Sequence, residues 1–321
     1  MPSKIKPPPP FTDAHAAPAD LALFVRAVEL GSFSAVARER DAVASQVSRA
    51  VDRLEALYRV RLLRRSTHGL SLTPEGQTLL TRARQVLAAL GDLSDELAAQ
   101  RGKASGTVRL ALSPAMARHF VIPALPQLAE QHPALRLELH AEDRFVDLVA
   151  EGFDLALRTN DVRQDGLVAR RIGQHQRAVL AAPAYLSRHG TPTHPADLAQ
   201  HRTITHLSAG HLNRWRFLID GQLTPHAPRN DFSASSTWLV IEMVLAGLGL
   251  GWINTQLVEA QLQHGELIEV LAPFRDPTSI PVYAVMLPDR DRLPRIRAVV
   301  EFLAQALGQQ PTHRRNVVRS A

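Results

Sequence analysis

The polar side chains best suited to recognising DNA lie in the stretch SFSAVARERDAVASQVSRAV, residues 32–51. Its apolar positions predict two helices joined by a turn at residues 41–44, with Val47 and Val51 facing inward. The outward positions of the second helix, which is expected to begin near Ser45, are Gln46, Ser48, Arg49 and Arg53. Glutamine and arginine can bond base edges in bidentate fashion, and serine and arginine can hold phosphates, so this face suits the major groove.

An ordinary helical hairpin with a solvated polar face is the alternative, and the next segment weighs against it. RLLRRSTHGLSLTPEG, residues 61–76, predicts a short β-hairpin in which Leu70 and Leu72 form one buried face. A basic wing directly behind a two-helix reader favours a winged helix-turn-helix. The candidate DNA-binding residues are Ser45, Gln46, Ser48, Arg49, Arg53, Arg65, Thr67 and His68.

A second group of hydroxyls lies where predicted strands or loops lead into helices. Ser113 ends one predicted strand, and ASST at 234–237 precedes a predicted helix at 238–246. Helix starts attract anions, so these residues predict a site for a small molecule with an anionic group. The alternative is that Ser113 and Ser236 only cap their helices. The effector-binding candidates are Ser113, Ser235, Ser236 and Thr237, with Arg158, Thr159 and His206 as weaker ones.

Between these two regions, Thr73 and Pro74 predict the start of a long helix that reaches residue 101, with Thr as N-cap. Its apolar residues recur at steps of four and three, which is a heptad seam. The seam residues are Leu79, Ala83, Val86, Leu90, Leu93 and Leu97. We expect the seam to pair two chains, because it runs past the end of the reader domain. The alternative is packing against the chain's own wing domain.

After a hinge at 101–106, alternating strands and helices predict a parallel sheet with helices on its faces. The expected elements are strands at 107–112, 135–140 and 153–158 and helices at 119–131 and 144–151. A second lobe is expected at about 173–281, entered by a strand at 177–182. A strand at 279–287 and a helix at 296–307 return to the first lobe. The predicted domains are an unordered arm (1–19), a winged helix-turn-helix (20–76), a linker helix (73–101), a two-lobed α/β domain (106–306) and an unordered basic tail (307–321).

Composition agrees with a DNA partner and disfavours several other classes. The 321 residues carry a formal net charge of +6, are 45% hydrophobic and include no cysteine, so disulfides, thiolate chemistry and zinc fingers are excluded. GLGLG at 247–251 follows a helix and enters a strand, the reverse of a phosphate loop. His201, His206 and His211 do not share a helix face, so we expect no metal. Asp143, Asp147 and Glu151 would share one solvated helical face, and no catalytic motif accompanies them, so an enzyme is not expected.

No membrane segment or secretory signal is expected either. The N-terminus has no apolar core, and the longest apolar run, 238–253, is shorter than the ~20 residues that span a bilayer. With the predicted DNA partner, these features lead us to expect a cytoplasmic location, on the nucleoid.

Residues 20–101 resemble the DNA-binding end of LysR-type transcriptional regulators, through LALFVRAVELGSFSAVA, SQVSRAVDRLE and RRSTHGLSLTPEG. The resemblance extends over about residues 20–306. Arg40, Asp41, Ala42, Val43 and Arg59 depart from the family pattern, and they are expected to weaken local packing or helix capping.

The resemblance implies an N-terminal all-α winged helix-turn-helix with a long linker helix. It also implies a two-lobed α/β effector domain like the type 2 periplasmic binding proteins. The implied partners are promoter double-stranded DNA, a second copy of the chain (as a dimer and as a tetramer of two dimers) and RNA polymerase. The only implied ligand is a small-molecule effector. A transport solute-binding protein would need an export signal and leaves residues 20–101 unexplained, and a cleft enzyme would need a catalytic constellation.

Overall fold

The computed structural model describes residues 16–66, 69–99, 104–159, 166–207, 210–288 and 290–308, and the side chains of 65, 66, 69 and 94–99 lie outside that description. The chain divides near Leu97 into two compact units. None of the helices described is both long and apolar enough to cross a membrane. The predicted arm, hinge and tail lie mostly outside the described residues. Among the described residues, the predicted bounds need correction at Pro18 and Ala19 and at Leu307 and Gly308, which are helical, and at Gly106, which begins a strand.

The first unit consists of four helices and one hairpin. Its elements are α1 (Pro18–Leu30), α2 (Phe33–Glu39), α3 (Ala44–Tyr58), β1 (Leu63–Ser66), β2 (Gly69–Leu72) and α4 (Pro74–Ala99). Helix α1 begins with proline in its first turn and ends at Gly31, whose φ of 64° is left-handed. Helix α4 begins as predicted, because the Thr73 hydroxyl accepts a hydrogen bond of 2.9 Å from the Gly76 amide.

Three of the residues that depart from the family pattern lie at helix ends or turns, where the sequence analysis expected them to weaken local packing or helix capping. Val43 is the N-cap of α3 and makes no side-chain capping bond. Asp41 and Arg59 have φ values of 51° and 55°, in the left-handed region. Aspartate tolerates that region better than arginine does. The strain is therefore concentrated at Arg59, which ends α3 just before the wing.

Arg59→Gly is expected to stabilise the first unit by about 0.5–1 kcal/mol, because glycine relieves the left-handed strain at an exposed position. Urea unfolding of the full chain measures the difference. Arg59→Ala is the control, because it removes the guanidinium and keeps the Cβ, and it should change stability by less than about 0.5 kcal/mol. Equal stabilisation by both substitutions would show that the charge matters and the backbone does not.

The second unit contains two five-stranded sheets. The first lobe has β3 (Gly106–Leu112), α5 (Pro114–Met116), α6 (Ile122–Gln131), β4 (Leu135–Ala141), α7 (Leu148–Glu151), β5 (Leu155–Thr159), β6 (Val168–His175), β14 (Ile280–Met286) and α11 (Pro294–Gly308). Its strand order is β4-β3-β5-β14-β6. Strand β3 pairs in parallel with β4 and β5, which confirms the predicted parallel core, and β14 pairs antiparallel with β5 and β6.

The second lobe has β7 (Arg177–Ala181), α8 (Pro183–His189), β8 (Thr203–His206), β9 (Trp215–Ile219), β10 (Gln222–His226), β11 (Phe232–Ala234), α9 (Thr237–Leu245), β12 (Leu250–Asn254), α10 (Glu259–Gln263) and β13 (Ile268–Val270). Its sheet order is β11-β8-β12-β7-β13, and β9 and β10 form a separate hairpin. Strand β6 stays in the first sheet as far as His175, which pairs with Ile280. The boundary between the lobes therefore lies a few residues after the predicted one at 172 and 173.

Two helices of the first lobe have bounds that differ from the predicted ones. The helix predicted at 119–131 begins at Pro114 and widens into a π-helical turn at Ala117–Val121 before α6. Pro123 has no N–H for the preceding turn, which favours this widening. The helix predicted at 144–151 covers only Leu148–Glu151. Residues 143–147 are not helical, so Asp143 shares no helix face with Asp147. The carbonyl of Val146 in this segment accepts a hydrogen bond of 2.7 Å from Arg158.

The glycine string between α9 and β12 has the structural role that the sequence favoured. A Cβ at Gly249 would lie 2.6 Å from the Arg202 carbonyl oxygen, and one at Gly251 would lie 2.7 Å from a methyl group of Val244. Gly247 has a φ of 72°. These glycines allow the helix to end and the strand to approach its neighbours closely.

Candidate DNA-binding surface and effector cleft

Helix α3 has one buried face and one exposed face, as its sequence predicts. Its buried residues are Val47, Ala50, Val51 and Leu54. Val51 and Leu54 pack with Phe24 of α1 and Leu80 of α4, and Val47 belongs to a second cluster that meets the first at Phe33 and Leu70. Ser45, Gln46, Arg49 and Arg53 are exposed and Ser48 is half-buried. The outward polar face of the reader helix is therefore confirmed as a surface.

The arginine in the second turn of α3 bends back toward the start of the helix. Arg49 donates from Nε to the Ser45 carbonyl at 3.2 Å and from Nη2 to the Ser45 hydroxyl at 3.4 Å. Gln46 is exposed on the same turn. Both side chains lie within the first two turns of α3, which is the part of a recognition helix that reaches base edges.

Arg53 has an internal partner that the sequence did not predict. Its Nε and Nη2 donate to both carboxylate oxygens of Asp20, at 2.8 Å and 2.5 Å. Asp20 is buried in the first turn of α1, and its hydrogen bonds raise the pKa of Arg53 above its usual value. Arg53 therefore joins α3 to α1 while its side chain is still 59% exposed. Spacing alone did not indicate this pair, because the two residues are 33 positions apart.

The wing forms as predicted, and Glu55 fixes its position. Strands β1 and β2 pair antiparallel with Leu63 opposite Leu72. The Glu55 carboxylate accepts from the amide of Leu62 at 2.8 Å and of Leu63 at 3.3 Å, and it pairs with Arg61 at 3.3 Å. Glu55 was not among the predicted site residues. Arg65 lies on β1, its side chain is outside the described set, and Thr67 and His68 are outside the described residues.

The apolar seam of α4 divides into two parts. Leu79 and Ala83 pack into the core of the first unit together with Leu80, which the heptad pattern did not include. Val86, Leu90 and Leu93 are 46%, 40% and 54% exposed. The Leu97 side chain lies outside the described set. The seam is therefore an intramolecular contact at its start and an exposed apolar stripe beyond it.

In the second unit, Ser113 is placed between β3 and α5, as predicted. Its hydroxyl accepts a hydrogen bond of 3.2 Å from the Met116 amide, so it caps this helical turn. Ser236 is the N-cap residue of α9 and makes no side-chain capping bond. Arg118 and His119, which follow α5, lie against Trp238 in the first turn of α9. The two lobes therefore meet where the π-helical turn after α5 packs against the first turn of α9.

Thr237 is bonded to a carboxylate of the protein itself. Its amide donates to Oδ2 of Asp143 at 3.1 Å, and its hydroxyl donates to Oδ1 at 3.4 Å. Asp143 follows β4 in the first lobe, and Thr237 begins α9 in the second. The sequence analysis assigned Asp143 to a solvated helical face, and this assignment was wrong. The side chain is half-buried and joins the two lobes.

His206 is a buried residue of the second lobe. It ends β8 opposite Ala234 of β11, and its amide donates to Asn213 Oδ1 at 2.7 Å. Burial lowers the pKa of His206, and the charge of Asp143 acts in the opposite direction. Burial also lowers the pKa of His211.

Arg158 and Thr159 lie at the end of β5. Arg158 donates to the Val146 carbonyl and covers the Phe145 ring at 3.7 Å. Burial lowers the pKa of Arg158. His201 is bonded to the Tyr185 hydroxyl at 3.3 Å. Within the described residues no group of three histidine or acidic side chains is arranged to hold a metal ion.

Comparison with known proteins identifies both units. Residues 18–77 match the model of the bacterial regulatory helix-turn-helix proteins of the lysR family, and residues 101–308 match the LysR substrate binding domain. The transcriptional regulator CrgA of Neisseria meningitidis is 34% identical over 90% of this chain and 96% of its own length. The transcriptional activator AaeR of Escherichia coli is 30% identical over 88% of this chain and 91% of its own.

Solved structures agree with these relatives. The structure of CrgA from Neisseria meningitidis matches with a TM-score of 0.60 at 33% identity and covers 91% of this chain and 99% of its own. The Vibrio cholerae virulence activator AphB matches with a TM-score of 0.60 at 25% identity and covers 89% and 97%. The chain therefore belongs to the LysR family of transcriptional regulators, with a helix-turn-helix DNA-binding domain and a two-lobed α/β effector-binding domain. It is a regulator and not an enzyme.

Proposed function

We propose that α3 reads a promoter from the major groove, with Gln46 and Arg49 contacting bases. The exposure of both side chains in the first two turns of α3 carries this proposal. Ser45, Ser48, Arg53, Arg65, Thr67 and His68 are proposed to contact the DNA backbone or lie at its edge. Arg53 would then hold Asp20 and a phosphate together, since five N–H donors allow both.

Gln46→Ala and Arg49→Ala are each expected to weaken binding to the specific promoter by about 1–3 kcal/mol and to change binding to random DNA much less. The promoter is first selected from genomic fragments with the purified protein, and affinities are then measured by fluorescence anisotropy at one salt concentration. Arg188→Ala removes an exposed charge from the second unit and controls for net charge. Equal losses on both DNAs would identify these residues as phosphate contacts.

We propose that the exposed part of the α4 seam pairs two chains, and that two such dimers form a tetramer. Val86, Leu90 and Leu93 support this because three large apolar side chains at heptad spacing favour burial against a second helix.

We further propose that RNA polymerase contacts the bound regulator and that the protein acts in the cytoplasm, on the nucleoid. Cross-linking to polymerase on promoter DNA tests the first of these two proposals, and fluorescence microscopy of a tagged chain tests the second.

We propose that a small-molecule effector with an anionic group binds in the cleft between the lobes and changes promoter binding. The meeting of α5 and α9, with Ser113 and Ser236 at their starts, carries this proposal. Helix starts offer hydroxyl and backbone donors to an anion. The residues proposed to contact the effector are Ser113, Arg158, Thr159, His206, Ser235, Ser236 and Thr237.

Ser236→Ala is expected to lower effector affinity about tenfold, the equivalent of one charge-assisted hydrogen bond, and to leave effector-free promoter binding unchanged. The effector is first identified from the genes at the selected promoter, and calorimetry then compares the two chains. Ser233→Ala is a matched control, because Ser233 is an exposed serine on the preceding strand. Unchanged affinity in Ser236→Ala would place the ligand elsewhere.

A further inference from the structure

The hydrogen bonds between Asp143 and Thr237 connect residues that are 94 positions apart and lie in different lobes. The Asp143 carboxylate accepts from both the amide and the hydroxyl of Thr237, at 3.1 Å and 3.4 Å. The N-cap residue of α9, Ser236, makes no side-chain capping bond. A carboxylate of the first lobe thus supplies the capping interaction that the second lobe's own serine does not make.

We propose that Asp143 is a latch between the lobes, a positioning residue that holds the start of α9 against the first lobe in the form described. An effector in the cleft would change the arrangement of the lobes by releasing this latch, and only this role of Asp143 rests on the proposed function. The contact itself is present without any ligand and can be tested without one.

The surroundings of Asp143 explain why this contact is selective. The positive end of the α9 dipole favours a carboxylate over a neutral group at this position. The charge of Asp143 also acts on His206, which lies at the end of β8 in the second lobe. Charged partners make hydrogen bonds about twice as strong as neutral ones.

A second contact between the lobes does not depend on Asp143. The guanidinium carbon of Arg118 lies 4.3 Å from the centre of the Trp238 ring, and the His119 ring lies 6.2 Å from it. This contact joins the π-helical turn after α5 to the first turn of α9. Neither Asp143 nor Thr237 takes part in this contact, so release of the latch alone does not remove it. An effector anion that displaces the Asp143 carboxylate would accept hydrogen bonds from the same Thr237 amide and hydroxyl. Opening of the latch would then leave no unpaired donor at the start of α9.

The first experiment measures hydrogen exchange at the Thr237 amide in the full chain, with no ligand added. Asp143→Ala is expected to accelerate exchange at this amide about tenfold and to leave the amides of α11 unchanged. Asp143→Asn keeps the size and one acceptor of the side chain, so it should give a smaller acceleration. Asp143→Glu keeps a carboxylate, so the Thr237 amide should exchange more slowly in this variant than in Asp143→Ala. Glu142→Gln is the matched control, because Glu142 is an adjacent exposed carboxylate that pairs with Arg144.

The second experiment measures the distance between the lobes. The chain has no cysteine, so Glu130→Cys in α6 and Glu266→Cys after α10 would carry the only two spin labels, at exposed positions in different lobes. With unlabelled chain in excess, Asp143→Ala should add a second population at a different distance, and Glu142→Gln should not. An unchanged Thr237 exchange rate or a single unchanged distance in Asp143→Ala overturns the latch. Neither outcome affects the proposed effector site, which Ser236→Ala tests separately.

Discussion

Gly76→Ala is expected to destabilise the first unit by about 3 kcal/mol or more. A Cβ at this position would lie 2.0 Å from the carbonyl oxygen of Leu62 and 3.0 Å from Cδ2 of Leu72. The oxygen belongs to backbone that Thr73 holds in place, since it accepts from the Thr73 amide at 3.0 Å and from its hydroxyl at 3.2 Å. No side-chain rotation can therefore relieve the clash, and α4 must separate from the start of the wing.

Urea unfolding of the full chain, followed by hydrogen exchange at residues 61–80, measures this loss. Gly91→Ala is the matched control, because it makes the same substitution in the same helix at a position where, apart from the neighbouring residues and backbone of α4 itself, no described atom lies within 4 Å of the added methyl group. It should stabilise α4 by up to about 1 kcal/mol, since alanine is the better helix former. If Gly76→Ala unfolded at the same urea concentration as the parent, the close approach of α4 to Leu62 would be wrong.

Leu90→Asp is expected to dissociate the proposed dimer. The separated chains should then no longer bind a promoter whose two half-sites are related by two-fold symmetry. Leu90 lies between Val86 and Leu93 on the exposed part of the seam. A carboxylate there would be buried without a partner in a helix pair, which costs about 3 kcal/mol or more. The same side chain in a separated chain would remain in water at little cost, so the substitution acts on association rather than on folding.

Sedimentation velocity and promoter binding by the full chain test this expectation. Gln85→Asp adds the same charge off the seam and should leave the dimer intact; Gln85 now accepts from Arg82 at 3.1 Å. Thermal unfolding of the second unit should be the same in both variants. A Leu90→Asp chain that sediments as a dimer would show that the exposed stripe is not the dimer interface.

Local patterns predicted most of the elements. The 3.6-residue recurrence of Val47, Val51 and Leu54 predicted which face of α3 is buried. Thr73 followed by Pro74 predicted the start of α4. Alternating strands and helices predicted the parallel order of β3, β4 and β5. In each case the signal lies within a few consecutive turns or strands, where backbone geometry determines the direction of a side chain.

Patterns of this kind were less informative in the second lobe and at the ends of helices. Strands β8 to β13 are short and are separated by turns, so the sequence predicted a lobe but not its strand order. The helix expected at 144–151 had the right spacing of polar residues. Its first residues are nevertheless not helical, and the Val146 carbonyl there bonds to Arg158, twelve residues further along the chain. Polar spacing did not reveal this tertiary contact.

By itself, the sequence determined the family, the two units, the outward polar face of α3 and the positions of Ser113 and Ser236 at helix starts. These features depend on residue type and local spacing. Only the tertiary structure decided which polar groups are already paired. It joins Arg53 to Asp20, Glu55 to the start of the wing, and Asp143 to Thr237. These contacts join residues that are seven to 94 positions apart, and no local periodicity specifies such a pair, because packing of the elements brings the partners together.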